Sequence, residues 1–224
     1  MKNVVSKFLS FVLLAVFLLD LYFIWINQNE SRFFTKTLLL PLLILIYITE
    51  SKQHINLTTS QLNKNFLIGL VLSFFGDFFL LFKWGFLPGL GSFLLAHVFY
   101  ILCFYKLMKR KASRTFVYMV SMHLIGFITF LYPYLNEMKI PVTVYGIVIS
   151  LMLYFSTRTA NNFLILGALL FVISDTVLAV NLFVKEFQML SILVMINYVV
   201  AQFFLVRGML KEAKPVQNSI HNIQ

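Results

Sequence analysis

The sequence contains few charged residues and a single cysteine, and both shortages restrict the class of protein. Only 12% of the 224 residues are charged, whereas 60% are hydrophobic and the mean hydropathy is +0.89. Soluble domains carry about twice that share of charge, so the composition excludes an ordinary soluble domain and predicts an integral membrane protein. The single cysteine, Cys103, has no second cysteine with which to form an internal disulfide. It lies within an apolar run, and the thiol is interpreted as a small apolar residue.

Two ligand classes also lack support in the sequence. The four histidines, at positions 54, 97, 123 and 221, show no spacing typical of transition-metal ligands. The net charge of +10 does not indicate nucleic acid, because the basic residues follow the topology of a membrane protein. With a cytoplasmic N-terminus, 13 of the 18 Lys and Arg residues fall in inside segments and five in outside segments. The sequence therefore predicts a multi-pass protein of a bacterial cytoplasmic membrane with both termini in the cytoplasm.

Eight apolar runs predict an all-α integral membrane protein, a bundle of eight transmembrane helices. The runs cover residues 7–26, 35–49, 66–82, 88–107, 116–132, 140–155, 163–184 and 187–206. The second and the sixth give the weakest signals, since both fall short of the ~20 residues that span a bilayer comfortably. The connecting segments are short, so residues 1–210 are predicted to form one transmembrane domain, followed by a polar C-terminal tail at 211–224.

The chain also shows signs of an internal repeat. Asp77 in the third run and Asp175 in the seventh each lie eight residues after a glycine. In the fourth and eighth runs an alanine precedes a polar residue, His97 and Gln202 respectively. The members of each pair are four runs apart, so both members cross the membrane in the same direction. A parallel duplication of four helices produces such a pattern.

Asp77 and Asp175 are the leading functional candidates, because a carboxylate at mid-bilayer costs about 2.5–3.5 kcal/mol and is usually retained for use. The alternative is that they only join helices through hydrogen bonds. That structural interpretation is preferred for Asp20, near the end of the first run. Counted from the ends of the runs, both candidates lie in the outer half of the membrane, together with His97 and Tyr198.

Helical spacing adds residues to this polar group. Ser73 lies four residues before Asp77, and Tyr198 lies four residues before Gln202, so each pair shares one helix face. A histidine in an apolar helix is often a packing residue, but the depth of His97 near the aspartates makes a site role equally plausible.

Four segments in register resemble the YhhN-like lysoplasmalogenase family, to which transmembrane protein 86 belongs. They are GLVLSFFGDFFLLF, GSFLLAHVFYILCFY, GALLFVISDTVLAVNLF and YVVAQFFLVRG, in runs three, four, seven and eight. The resemblance extends to the second run through TKTLLLPLL, whose lysine is Lys36. Runs one, five and six match only in being hydrophobic.

The resemblance implies an eight-helix membrane hydrolase that cleaves the vinyl ether bond of lysoplasmalogens. The products would be a fatty aldehyde and glycerophosphoethanolamine or glycerophosphocholine. The polar positions carried over from the family are Asp77, His97, Asp175, Tyr198 and Gln202. Lys36 is a less complete match, because Thr37 stands where a proline is common. A lysophospholipid is the implied partner, and no metal or organic cofactor is needed.

The chemistry of a vinyl ether fits two carboxyl groups. Protonation of the β-carbon leaves an oxocarbenium ion, to which water adds before the hemiacetal collapses to aldehyde and alcohol. One carboxyl group would donate the proton and the other would stabilise the cation, as in glycosidases, and the sequence does not decide between Asp77 and Asp175. His97, Tyr198 and Gln202 would hold water, a carboxylate or the glycerol oxygens.

Two further expectations concern the substrate and the rival functions. Lys36, at the outer interface, would contact the phosphate, and the hydrocarbon chain would lie between helices. Paired intramembrane aspartates with a histidine also suit a proton-coupled transporter, which is the main alternative. A membrane scaffold without catalytic activity is the third.

Overall fold

A computed structural model describes residues 2–55 and 62–213 of the chain. These residues form eight α-helices, and no strand occurs among them. The helices are α1 (Lys2–Trp25), α2 (Asn29–Ile55), α3 (Lys64–Phe79), α4 (Phe86–Lys106), α5 (Arg114–Leu131), α6 (Lys139–Arg158), α7 (Asn162–Phe183) and α8 (Gln188–Glu212). Two short 3-10 helices, Tyr132–Tyr134 and Asn136–Met138, connect α5 to α6.

The all-helical prediction is confirmed, and each of the eight apolar runs coincides with one helix. The two weakest runs form helices of 27 and 20 residues, because polar residues at their ends continue the helix beyond the apolar stretch. Helix α3 ends at Phe79, three residues before the end of its run. Helix α8 continues to Glu212, so the first two residues of the predicted tail are helical, and residues 214–224 lie outside the described residues.

Seven helices in the described part of the chain are long and apolar enough to cross a membrane. The exception among the eight is α3, whose 16 residues extend about 24 Å at 1.5 Å per residue. This helix is short because Leu80 caps it and the chain turns before Gly85. Asp77 nevertheless lies close to the end of α3. The position of that helix end therefore determines which groups the carboxyl group can contact.

Small residues bring α3 close to α4, and α7 close to α8. A side chain at Gly69 of α3 would collide with the ring of Tyr100 of α4. Each pair also carries a serine that donates across the interface, Ser92 to the carbonyl of Leu72 at 2.8 Å and Ser174 to that of Val194 at 3.0 Å. Close approach and interhelical hydrogen bonds are the usual stabilising contacts between helices in a membrane, where lipid removes the hydrophobic drive for helix association.

Charged side chains join the helices at the two ends of the bundle. At the end where α8 finishes, Lys109 pairs with Glu212 at 2.7 Å and Arg207 pairs with Glu50 at 2.8 Å. At the opposite end Asp20 is fully buried and accepts a hydrogen bond of 2.8 Å from Thr35. Asp20 thus joins α1 to α2, as the structural interpretation of that residue requires.

Gly167 is a sensitive position for stability because α8 passes directly over it. A Cβ atom there would lie 2.9 Å from the backbone oxygen of Ala201 and equally close to Leu205. We expect Gly167→Ala to lower the free energy of unfolding by about 1–3 kcal/mol, the usual cost of overpacking. Thermal unfolding of the purified protein in detergent measures the change.

Gly126 of α5 provides the matched control, because nothing lies within 4 Å of a Cβ built there. Gly126→Ala should leave the unfolding temperature unchanged or slightly raise it, since alanine favours the helix. Equal effects of the two substitutions would contradict the close α7–α8 contact.

Candidate functional site

The carboxyl group of Asp77 is the meeting point of three helices. Only 4% of the residue is exposed. The hydroxyl of Tyr198 on α8 donates to Oδ2 of Asp77 at 2.7 Å, and Nζ of Lys36 on α2 lies 3.7 Å from Oδ1. A buried carboxylate is tolerated when a cation and a hydrogen bond compensate it, and Asp77 has both.

Hydrogen bonds extend from Tyr198 further into the bundle. Nε2 of Gln202 lies 3.5 Å from the Tyr198 hydroxyl, and the hydroxyl of Tyr100 donates to Oε1 of Gln202 at 3.2 Å. Ser73 Oγ lies 3.2 Å from the same Tyr100 hydroxyl. We call this set the Asp77 network, and it comprises Lys36, Ser73, Asp77, Tyr100, Tyr198 and Gln202.

Asp175 has a different environment, in which one tyrosine is the polar contact. The hydroxyl of Tyr145 on α6 donates a short hydrogen bond to Oδ2 of Asp175. Tyr145 is buried, whereas Asp175 is partly exposed. None of the ion pairs in the described part of the chain includes Asp175. This carboxyl group therefore lacks the cation that accompanies Asp77.

Asp175 and Tyr145 line a cavity of about 70 Å³ between α4, α5, α6 and α7. Most of its lining is hydrocarbon, contributed by residues such as Leu90, Val142, Leu178 and Phe183. Helix α5 is the outermost wall, because within that helix, which is described throughout, only Leu131 is buried. A cavity with an apolar lining and a lipid-facing wall can take a hydrocarbon chain, with one carboxyl group beside it.

Phe93 separates this cavity from Asp77, which is not among the lining residues. The ring of Phe93 lines the cavity and covers Gly76, where an added Cβ would lie 2.6 Å from it. On its other sides the ring packs edge-on against Tyr198 and Phe171, with centroid distances of 6.0 and 6.3 Å. In this arrangement the two aspartates do not open into one common space.

His97 lies near Tyr145 and Tyr100, and it makes no hydrogen bond to the described residues. The residue is fully buried, and neither ring nitrogen has a partner among the described residues. Its ring lies 5.4 Å from that of Tyr145, the partner of Asp175, and 6.3 Å from that of Tyr100 in the Asp77 network. The ring of Phe171 is the nearest aromatic neighbour, at 4.7 Å.

The structure brings most of the predicted polar residues together, with one clear difference. Ser73, Tyr198 and Gln202 lie in the Asp77 network, as their shared helix faces suggested. Lys36 was expected at the outer interface as a phosphate contact, but it is buried and its ammonium points to Asp77. The reason is that α2 packs against α3, which turns this face of α2 toward the bundle interior.

Tyr145 is the site residue that the sequence analysis missed, because run six was considered only as a hydrophobic segment. A signal was available, since a tyrosine hydroxyl in the middle of an apolar helix needs a hydrogen-bond partner. The sequence alone gives no way to identify Asp175 as that partner. No group of three His, Cys, Asp or Glu side chains suited to a metal occurs in residues 2–55 and 62–213.

Sequence comparison with known proteins identifies relatives of the chain. The model of the YhhN family matches residues 31–209. Two curated proteins called lysoplasmalogenase, from Mycobacterium bovis and Mycobacterium tuberculosis, are each 30% identical to the chain over 150 residues. The matched region covers 62% of this chain and 58% of each relative, so the chain spans little more than half the length of those proteins. No solved structure matches the chain.

Proposed function

The chain belongs to the YhhN family, and we propose that it is a membrane hydrolase that cleaves the vinyl ether bond of lysoplasmalogens. The name of the two mycobacterial relatives supports this substrate class. The observation that carries the proposal is a carboxyl group, Asp175, partly exposed in a mostly apolar cavity between helices. Such a cavity suits the hydrocarbon chain of a lipid and presents an acid to a bond close to that chain.

The same proposal includes the membrane arrangement. We infer that all eight helices, α3 included, span a bacterial cytoplasmic membrane with both termini in the cytoplasm. The distribution of basic residues supports this orientation, as do the charged pairs at the end of the bundle where α8 finishes. The serine bonds that both the α3–α4 and the α7–α8 pairs make are consistent with a parallel repeat of four helices.

In the proposed reaction the first step is transfer of a proton from Asp175 to the β-carbon of the vinyl ether. Asp175 suits this role because it faces the cavity and forms no ion pair with the described residues that would favour its ionised form. The electron pair of the double bond forms the new C–H bond, and the ether oxygen shares the resulting positive charge. Water then adds to the cationic carbon, and the hemiacetal breaks into a fatty aldehyde and a glycerophospho-alcohol.

Asp77 has the environment of a carboxylate that stays negatively charged, because the ammonium of Lys36 compensates it. A fixed negative charge stabilises an oxocarbenium ion, as the second carboxylate of a glycosidase does. For direct contact with the substrate, the ring of Phe93 has to move from its position over Gly76. The proposal therefore includes a rearrangement of Phe93 when the substrate binds.

Aldehyde release by the purified protein tests this function. Protein in detergent is given a lysoplasmalogen, and mass spectrometry follows the fatty aldehyde. The matched control substrate is the same lipid with a saturated ether chain, which has no double bond to protonate and should remain intact.

A proton-coupled transporter is the second candidate, favoured by the continuous polar contacts of the Asp77 network. In liposomes a transporter would move protons or solute across the bilayer. Such movement without any aldehyde would contradict the hydrolase.

The hydroxyl of Tyr145 is expected to contribute to the rate through its bond to Asp175. A hydrogen bond to a group that changes charge is worth about 1.5–3 kcal/mol, so Tyr145→Phe should slow aldehyde release about 10- to 100-fold. Tyr105→Phe is the control, because Tyr105 on α4 is 60% exposed and lies outside the cavity lining. If both variants release aldehyde at the parent rate, Tyr145 has no role in the reaction.

A further inference from the structure

The position of His97 costs the folded protein free energy. A neutral imidazole has one donor and one acceptor, and both ring nitrogens of His97 are buried without a partner among the described residues. An unpaired buried polar group costs roughly 1–3 kcal/mol, and a membrane interior offers no bulk water to reduce that cost. A packing role alone would be better served by an apolar side chain.

The nearby hydroxyls donate to other groups and lie beyond hydrogen-bond distance of the His97 nitrogens. The Tyr145 hydroxyl donates to Asp175, and the Tyr100 hydroxyl donates to Gln202. Phe171 covers another side of the imidazole ring. A group that completes the hydrogen bonding of His97 has to be small and able both to donate and to accept.

The position of His97 relates this unpaired ring to the proposed reaction. It lies four residues after Phe93, so both occupy one face of α4. The ring of His97 lies 5.4 Å from that of Tyr145, which donates to Asp175, and 6.3 Å from that of Tyr100 in the Asp77 network. A molecule bound to His97 would therefore lie close to the tyrosine that holds the proton donor.

We propose that His97 binds a water molecule and that this water hydrolyses the substrate. The binding follows from the unpaired nitrogens, whereas the fate of the water rests on the proposed function. When Asp175 has given its proton to the β-carbon, the water oxygen forms a bond to the cationic carbon. A proton of that water passes to the Asp175 carboxylate, which restores the acid, and His97 stays neutral throughout.

Replacement of His97 should affect activity strongly and stability little. His97→Phe removes both ring nitrogens at similar volume and displaces the water, so no buried polar group is left without a partner and the unfolding temperature should change little. The same variant loses the water site, so aldehyde release should fall at least tenfold. His97→Gln, which can still donate and accept, should retain more activity than His97→Phe.

Cys103→Ser is the matched control on the same helix. Cys103 is fully buried, and its sulfur lies 3.5 Å from that of Met209. A serine there adds a buried hydroxyl far from the acid groups, so stability should fall while aldehyde release per folded molecule stays at the parent level. An ordinary packing histidine would instead lose stability and activity together when changed to phenylalanine.

A measurement without substrate separates this inference from the proposed function. Nitrogen-15 magnetic resonance of histidine-labelled protein in detergent reports whether each ring nitrogen is hydrogen-bonded, and the His97→Phe variant identifies the signal. Hydrogen-bonded ring nitrogens in the protein without substrate are the expected result. Nitrogens without hydrogen bonds would overturn the water site. If the parent releases no aldehyde, the hydrolase proposal fails and this measurement still decides the binding of water.

Discussion

Replacing Asp175 with asparagine should reduce aldehyde release at least 100-fold. General acid catalysis by a positioned side chain contributes typically 10²–10⁴-fold, and the carboxamide has no proton to donate to carbon. The fold should survive, because an asparagine oxygen still accepts the hydrogen bond of Tyr145. The assay follows the fatty aldehyde from a lysoplasmalogen, normalised to the amount of folded protein.

Asp20→Asn is the matched control, since it makes the same change at another aspartate of the membrane helices. Oδ1 of Asp20 accepts a hydrogen bond from Thr35 and lies 3.9 Å from Nε of Arg32, and asparagine preserves an acceptor there. Because Asp20 lies outside the cavity lining, the variant should keep an aldehyde rate within a few-fold of the parent. A fully active Asp175→Asn protein would remove this residue from the mechanism.

Breaking the pair of Lys36 and Asp77 should have the largest effect on stability. Removing one partner leaves a buried charge without compensation, which costs about 3–5 kcal/mol. We therefore expect Lys36→Met and Asp77→Asn each to lower the unfolding temperature strongly. The double variant should recover most of that loss, because neither charge then remains.

Activity distinguishes a structural ion pair from a catalytic carboxylate in the same set of variants. If Asp77 stabilises the cation, the double variant should be folded and should still release at least 100-fold less aldehyde than the parent. If the pair only holds α2 against α3, activity should return together with stability. Independent, additive losses of stability in the two single variants would mean that the two charges do not interact.

The helices could be predicted from the sequence because hydrophobicity acts locally. Each apolar run had to bury its backbone hydrogen bonds within itself, and a helix is the way a single segment does this in lipid. The residues that share a helix face could also be predicted from their spacing. Ser73 and Asp77 were therefore expected on one face, as were Tyr198 and Gln202. The structure has both pairs within the Asp77 network.

The contacts between helices could not be predicted from the sequence in this way. Nothing in the second run indicates that Lys36 turns inward to Asp77, since a lysine near the end of a run usually reaches the interface. The bond of Tyr145 to Asp175 joins residues 30 positions apart and depends on how α6 and α7 are rotated. The separation of the two aspartates by Phe93 depends on Gly76, which leaves the space that the ring occupies.

The sequence by itself determined a membrane protein of the YhhN family, the approximate positions of its helices and the identity of its intramembrane polar residues. These follow from the composition and order of residues within each segment. The tertiary structure decided which polar residues meet: Lys36 with Asp77, Tyr145 with Asp175, and His97 with neither. Helix rotation and spacing are set by contacts between segments distant in sequence, and a few degrees of rotation change the partner of a buried side chain without altering any local pattern.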